Sequence, residues 1–268
     1  MHSEPLSTST VPDAASDGLS DAQLAAALAR AAGRTLLELR AGLGDLPADE
    51  VKKRGDEAAQ QILATGLAAA RPDDAVLSEE ATDDAARLDA ARVWIIDPLD
   101  GTREYSEGRP DWAVHVALWE EGVLVTGAVA LPGLDTLLTS DPAPVVPPRD
   151  TTAPLRMAVS RSRPPAIATG VAEALGADLV AMGSAGFKVA AVVRGEADVY
   201  VHGGGQYEWD SAAPAAVALA AGLHASRLDG SPLRYNQPDP FLPDLVVCRP
   251  EVADQVLAAI SRVERDVE

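Results

Sequence analysis

Residues 93–102 constrain this chain more than any other stretch. The apolar run Val93-Trp94-Ile95-Ile96 leads directly into Asp97-Pro98-Leu99-Asp100-Gly101-Thr102. A short unbroken apolar run bounded by turn formers reads as a buried strand, and Asp-Pro and Asp-Gly suit the tight turn that ends it. Such a turn aims two carboxylates, a backbone carbonyl and a threonine hydroxyl at one point. Hard divalent cations such as Mg²⁺ favour clustered oxygen ligands of this kind, and a pair of ions is a common device for displacement at phosphorus. The same residues also make an ordinary turn, so the segment alone leaves both readings open.

Composition narrows the field. With 268 residues, 47% of them apolar, the chain can bury a large core as one big domain or two modest ones. Forty-one acids against 22 bases give a net charge of −19, which argues against general affinity for nucleic acid or anionic membranes. If the substrate is a phosphate ester, metal ions or a local basic pocket must reverse that field. The single cysteine, Cys248, excludes an intrachain disulfide and fits a reducing compartment. It sits in the apolar run Leu245-Val246-Val247-Cys248, as a buried structural thiol would. Four scattered histidines give no Cys/His zinc pattern. No stretch approaches the roughly 18 uninterrupted apolar residues of a membrane span. Met1 to Gly18 lacks the basic and apolar regions of a signal peptide and reads as a flexible tail on a cytoplasmic protein.

Ser20-Asp21-Ala22-Gln23 has the form of a capping box, and helical spacing of Leu24, Leu28, Ala31, Thr35, Leu36 and Leu39 predicts a first helix to about Arg40. A loop is expected from Ala41 to Arg54, then a second helix from about Asp56 to Ala70, stopped by Arg71-Pro72. After the strands near 75–77 and 93–96, the segments 112–119, 123–130 and 134–139 predict an antiparallel meander. Four prolines within 141–148 mark the best boundary, dividing an N-terminal α+β unit, 19–150, from a C-terminal α/β unit, 151–268. In that second half, strands are expected near 155–159, 178–181, 197–201, 224–228 and 244–248, alternating with helices near 165–175, 186–194, 211–222 and 251–264.

Further carboxylates answer to the central motif. Glu79 and Glu80 follow the strand Ala75-Val76-Leu77, 18 positions before Asp97. Strand-end acids lie at a sheet rim, where open α/β folds place their sites, although a solvated acidic loop reads the same way. Asp210 lies in Trp209-Asp210-Ser211-Ala212-Ala213-Pro214, at the start of an apolar helix where Asp is also an ordinary cap. Asp56 opens the second expected helix and carries the same alternative.

Taken in order, strand-Glu-Glu, strand-Asp-Pro-Leu-Asp-Gly-Thr and Trp-Asp-Ser-Ala-Ala form a specific set. It resembles the inositol monophosphatase-like, lithium-sensitive, metal-dependent phosphatases over roughly residues 20–265. The resemblance implies an α/β fold, an α/β/α/β/α sandwich with an antiparallel-sheet half and a C-terminal α/β half. It implies two or three Mg²⁺ ions held by Glu79, Asp97, Asp100, Asp210 and the Leu99 carbonyl. Glu79 and Thr102 would activate the attacking water, and backbone N–H groups around Asp100, Gly101 and Thr102 would meet phosphate oxygens. Asp56 matches an acid of the water-activating or third-metal network, but Lys52-Lys53 replaces the usual Val-Thr before it. Displacement would be direct, with inversion at phosphorus. Homodimers are common in such proteins.

Substrate choice rests on fewer residues. In inositol monophosphatases an acidic residue seven before the last metal aspartate holds inositol hydroxyls, and here that position is Gly203. Asp100-Gly101-Thr102-Arg103-Glu104-Tyr105, Ser160-Arg161-Ser162 and Gly183-Ser184 followed by Lys188 look instead like the CysQ-type 3′-phosphoadenosine 5′-phosphate phosphatases. A second phosphate needs a cation outside the metal cluster. Lys188 could supply it, with Ser184, Arg161 and Arg163 as further candidates; a solvated surface lysine is the plain alternative. His202 and Tyr207 are candidates for the base, and Glu104 has no role assignable from chemistry. The expected reaction is removal of the 3′-phosphate from adenosine 3′,5′-bisphosphate in sulfate assimilation. Inositol-1-phosphate or fructose-1,6-bisphosphate hydrolysis stands second, and a non-catalytic metal- or nucleotide-sensing module third.

Overall fold

The computed structural model describes residues 18–44 and 46–267, so the expected tail up to Asp17 lies outside the described residues. Alternation along one strand explains the architecture. In β2 (Arg92–Asp100), Val93 and Ile95 join one core while Trp94 and Ile96 join another, so the apolar run is apolar because both faces of its sheet are covered. On the outer face lie α1 (Asp21–Gly42) and α2 (Ala48–Ala70). On the inner face lie α5 (Ala185–Val193) and α6 (Glu208–Ala220).

The first sheet has the order β1-β2-β3-β4-β5, with β1 (Ala75–Ser78) parallel to β2. β3 (Ala113–Glu120), β4 (Val123–Leu131) and β5 (Thr136–Thr139) continue it as the expected antiparallel meander. A short helix, α3 (Thr102–Ser106), follows β2. The second sheet has the order β7-β6-β8-β10-β9. β6 (Arg156–Ser160) lies parallel to both β7 (Asp178–Met182) and β8 (Val199–Tyr207), while β10 (Phe241–Cys248) runs antiparallel to β8 and to β9 (His224–Ser226). Its inner face, through Ala158, Tyr200 and Val247, shares a core with α5, α6 and the first sheet. Its outer face packs Met157, Val199, Val246 and Cys248 against α4 (Ala166–Leu175) and α7 (Ala253–Val267). The result is the expected α/β/α/β/α stack. Burial pushes the Cys248 thiol up to about 12, as suits a structural cysteine.

Three expectations need correcting. The loop expected over 41–54 is mostly helix, because α2 begins at Ala48 behind Pro47. Asp56 is therefore mid-helix, and a capping role for it falls away. Gly55 does not break the helix; it brings α2 close to the end of β2, where an added Cβ would lie 2.9 Å from both Leu99 Cδ2 and Tyr105 Cε1. Finally, β8 runs on through Gly203-Gly204-Gly205 to Tyr207 instead of ending near 201, with a register irregularity on β10 between Leu242 and Asp244.

Candidate active site

Residues three apart on a regular strand point to opposite faces, so Asp97 and Asp100 could not share a site without a defect. The defect is present. Asp97 stands opposite His115 and Asp100 opposite Ala113, so the two residues between the acids face only Val114. This bulge turns both carboxylates to one side. Ser78 at the end of β1 pairs with Ile96, which brings Glu79 out level with Asp97. Gly101 follows with φ +90°, a left-handed conformation that glycine adopts freely, and starts α3 at Thr102.

Asp100 is held by the start of α5. Its carboxylate accepts from the Gly186 N–H at 2.6 Å, from the Ala185 N–H at 3.1 Å and from the Ser184 hydroxyl. Backbone donors and the helix dipole both suit an anion there. Asp97 Oδ1 accepts from the Leu99 N–H at 3.0 Å, whereas Oδ2 is buried with no hydrogen-bond partner. Asp210 lies in the first turn of α6 and accepts from the Tyr207 N–H at 2.7 Å. It does cap its helix, and it also faces the other acids.

The electrostatics show how crowded these carboxylates are. Burial, then the charges of Glu79, Asp100 and Asp210, holds the Asp97 carboxyl well above the usual carboxylate range. Burial and Asp100 push Glu79 up to about 7, with Glu80 adding to it. Burial and Asp100 do the same to Asp210, also to about 7. Asp56 reaches about 7 through burial and the neighbouring Glu80, opposed by Lys52. Convergent acids that raise one another's pKa values, with one buried oxygen lacking a donor, fit a divalent cation.

Glu79, Asp100 and Asp210 line a cavity of about 440 Å³, together with Ser160, Arg163, Ser184, Lys188, Tyr207 and Trp209. That size suits a small-molecule ligand. Lys188 is not a solvated surface residue. It is 5% exposed, donates to the carbonyls of Gly183 and Ser184, and its ammonium lies 5.5 Å from the centre of the Tyr200 ring. Tyr207 stacks on Trp209 with ring centres 4.8 Å apart. Arg161 is engaged elsewhere, in ion pairs to Glu104 at 3.2 Å and Glu107 at 2.6 Å, which also gives Glu104 a structural partner. Arg163 makes no ion pair among the described residues and lines the cavity. Gly203 has a packing reason, since a Cβ there would lie 2.8 Å from Ile167.

Sequence reasoning missed His115. It is fully buried, its Nε2 is 3.4 Å from Asp100 Oδ2, and with Asp97 and Asp100 it forms a group of ligand atoms within 4.8 Å of one another. Only the β2–β3 register, which pairs it with Asp97, could have drawn attention to it.

Comparison with known proteins identifies the family. A model of the inositol monophosphatase family matches residues 19–265. The 3′-phosphoadenosine 5′-phosphate phosphatase of Mycobacterium leprae is 53% identical over 262 residues, covering 91% of this chain and 95% of that protein. The 3′(2′),5′-bisphosphate nucleotidase CysQ of Escherichia coli K12 is 31% identical, covering 80% and 94%. Among solved structures, CysQ from Bacteroides thetaiotaomicron superposes with a TM-score of 0.74 at 26% identity, covering 85% of this chain and 96% of that one.

Proposed function

This chain belongs to the inositol monophosphatase family, and we propose that it is a Mg²⁺-dependent phosphatase that converts adenosine 3′,5′-bisphosphate to AMP and phosphate. The observation that carries this reading is the single cavity in which Glu79, Asp100 and Asp210 meet the cations Lys188 and Arg163 and the aromatic rings of Tyr207 and Trp209. A bisphosphate nucleotide has a matching set of parts: a scissile phosphate for the acids and their ions, a second phosphate for the cations, and a base for the rings. The substrates named for the curated relatives support the same choice.

In this reading Glu79, Asp97, Asp100, Asp210 and the Leu99 carbonyl hold two or three ions. Bound divalent cations would acidify a water and neutralise the phosphoryl oxygens. Glu79 would accept a proton from the attacking water while Thr102 orients it. The water oxygen would bond to phosphorus as the bond to the 3′ oxygen breaks, and that oxygen would leave as the nucleoside hydroxyl with a proton from solvent, to which Glu79 returns the one it received. Ser184 and the α5 amides keep Asp100 fixed throughout. Lys188, buried and anchored to two carbonyls, offers its remaining N–H to the second phosphate without reorganising. The acidic surface is in keeping with a cytoplasmic enzyme that binds neither nucleic acid nor membrane, and among the described residues no helix is long and apolar enough to cross one. A homodimer and a place in sulfate assimilation complete the reading.

The test is phosphate release with Mg²⁺ from adenosine 3′,5′-bisphosphate, inositol-1-phosphate and fructose-1,6-bisphosphate. The expected kcat/KM favours the nucleotide by at least about tenfold, the discrimination that one lost charge-assisted contact gives. Equal or reversed preference overturns the substrate choice, and no release with any of them overturns the enzyme reading.

A further inference from the structure

Buried polar atoms without partners are uncommon in folded proteins. Two occur among the acids of this site, Asp97 Oδ2 and His115 Nε2. The first is explained by a cation. The second belongs to a fully buried ring whose other nitrogen already bonds the Trp209 carbonyl, so its role is read from its contacts. The imidazole stands behind the carboxylates.

Its contacts say what it does there. His115 Nδ1 lies 3.0 Å from the Trp209 carbonyl, which can only accept, so Nδ1 carries the hydrogen. That bond joins β3 of the first sheet to the first turn of α6, at the residue before Asp210. The same Nδ1 lies 3.8 Å from Oδ2 of Asp97, the cross-strand partner of His115, while Nε2 on the other side reaches within 3.4 Å of Asp100 Oδ2. One ring therefore touches the placement of three acids from two elements. Gly186 leaves room for it, since a Cβ at that position would lie 1.9 Å from Nε2. Asp97 and Asp100 share a strand and keep their spacing through the bulge. Asp210 comes from a helix in another layer, and mutual repulsion pushes it away from the other two.

We propose that His115 is a positioning residue of the metal site, whose Nδ1–H bond to the Trp209 carbonyl fixes Asp210 at the distance from Asp97 and Asp100 that shared ions require. This rests on the reading of those three acids as metal ligands. His115 is fully buried and outside the lining of the cavity, so its loss acts on ion affinity before it acts on chemistry.

Two variants separate the hydrogen bond from the packing. His115→Asn keeps an N–H close to the position of Nδ1, and His115→Leu fills the volume without a donor. Mn²⁺ binding to the purified protein is measured by electron paramagnetic resonance, and initial rates are measured against Mg²⁺ concentration. His115→Leu is expected to weaken Mn²⁺ binding and raise the half-saturating Mg²⁺ by about 10- to 100-fold, as loss of a group that orients metal ligands does, with kcat largely recovered at saturating metal. His115→Asn should stay within about threefold of the parent on the same scale. A leucine variant that binds Mn²⁺ like the parent overturns the proposal, as does an asparagine variant as weak as the leucine one. If the leucine variant does not fold, ¹⁵N spectra of the unaltered protein decide: a protonated Nδ1 is expected, and an unprotonated one overturns the proposal. A parent protein that binds no Mn²⁺ would strike the metal-site reading itself, whereas loss of the difference between variants strikes His115 alone.

Discussion

The Gly186 amide donates to Asp100 Oδ2 at 2.6 Å, tying the end of β2 to a helix 86 positions further along the chain. The contact is possible only because residue 186 has no side chain: a Cβ would lie 1.9 Å from His115 Nε2 and 3.1 Å from Asp100 Oδ2. Gly186→Ala should therefore cost about 1–3 kcal/mol of stability, the usual range for overpacking a filled interior. It should also raise the Mg²⁺ needed for half-maximal rate, because Asp100 moves with the helix. Urea denaturation and a metal titration of activity check both. An alanine variant with the parent's midpoint and metal dependence contradicts the assignment.

Asp97 offers a way to separate stability from function. Its Oδ1 accepts from Leu99 while Oδ2 has no partner, so Asp97→Asn keeps the one hydrogen bond and removes a buried charge crowded by Glu79, Asp100 and Asp210. The metal-free variant should melt at or above the parent's Tm. Turnover at saturating Mg²⁺ should fall at least roughly a thousandfold, given the several kcal/mol that electrostatic groups contribute at such sites. Asp100→Asn is a less clean probe, because three donors from the start of α5 converge on that carboxylate and an amide cannot accept them all. A lower Tm is expected there along with the lost rate. Calorimetry beside steady-state kinetics distinguishes the two variants.

Arg163 lines the cavity without an ion pair among the described residues. Arg163→Ala should raise KM for a bisphosphate nucleotide by about tenfold and leave kcat nearly unchanged, since a contact to the remote phosphate is the same in ground and transition states. A 3′-monophosphate, lacking the second charge, should show little change. An equal effect on both substrates would place Arg163 at the scissile phosphate instead.

The layered stack followed from the family resemblance that the motifs carry, whereas the strand-turn motif, the order of the carboxylates and the run of strands and helices were legible in the sequence for a shared reason. Each is written in local pattern: apolar runs, turn residues, and acids at element ends. What escaped depended on pairing between distant segments. His115 occupies an inward position of β3 like any other, and only its register with Asp97 brings it to the acids. For Lys188 the sequence leaves a second-phosphate cation and a solvated surface residue both open, and only the burial of α5 between two sheets removes the latter. Gly55, a poor helix former by propensity, lies inside α2, where it serves close packing against Leu99 and Tyr105.

The raised carboxyl pKa values make stability depend on pH and on metal together. Glu79, Asp210 and Asp56 are each pushed up to about 7 in the folded chain, against ordinary values of 4.5 for Glu and 3.8 for Asp once unfolded. Between those limits the native state binds more protons than the unfolded one, so rising pH destabilises the metal-free protein. The effect begins above the unfolded values and is complete once pH has passed the folded ones. A divalent cation replaces the protons and reverses the penalty, releasing them as it binds. The gain in Tm on adding Mg²⁺ should therefore be small near about pH 5 and large near about pH 8, with proton release on binding detectable by calorimetry in buffers of different ionisation enthalpy. Asp210→Asn, which removes one of the crowded charges, should flatten the fall of metal-free Tm with pH and reduce the Mg²⁺ gain at the alkaline end. A Tm that rises with pH across this window in the absence of metal would mean that these acids do not repel one another in solution.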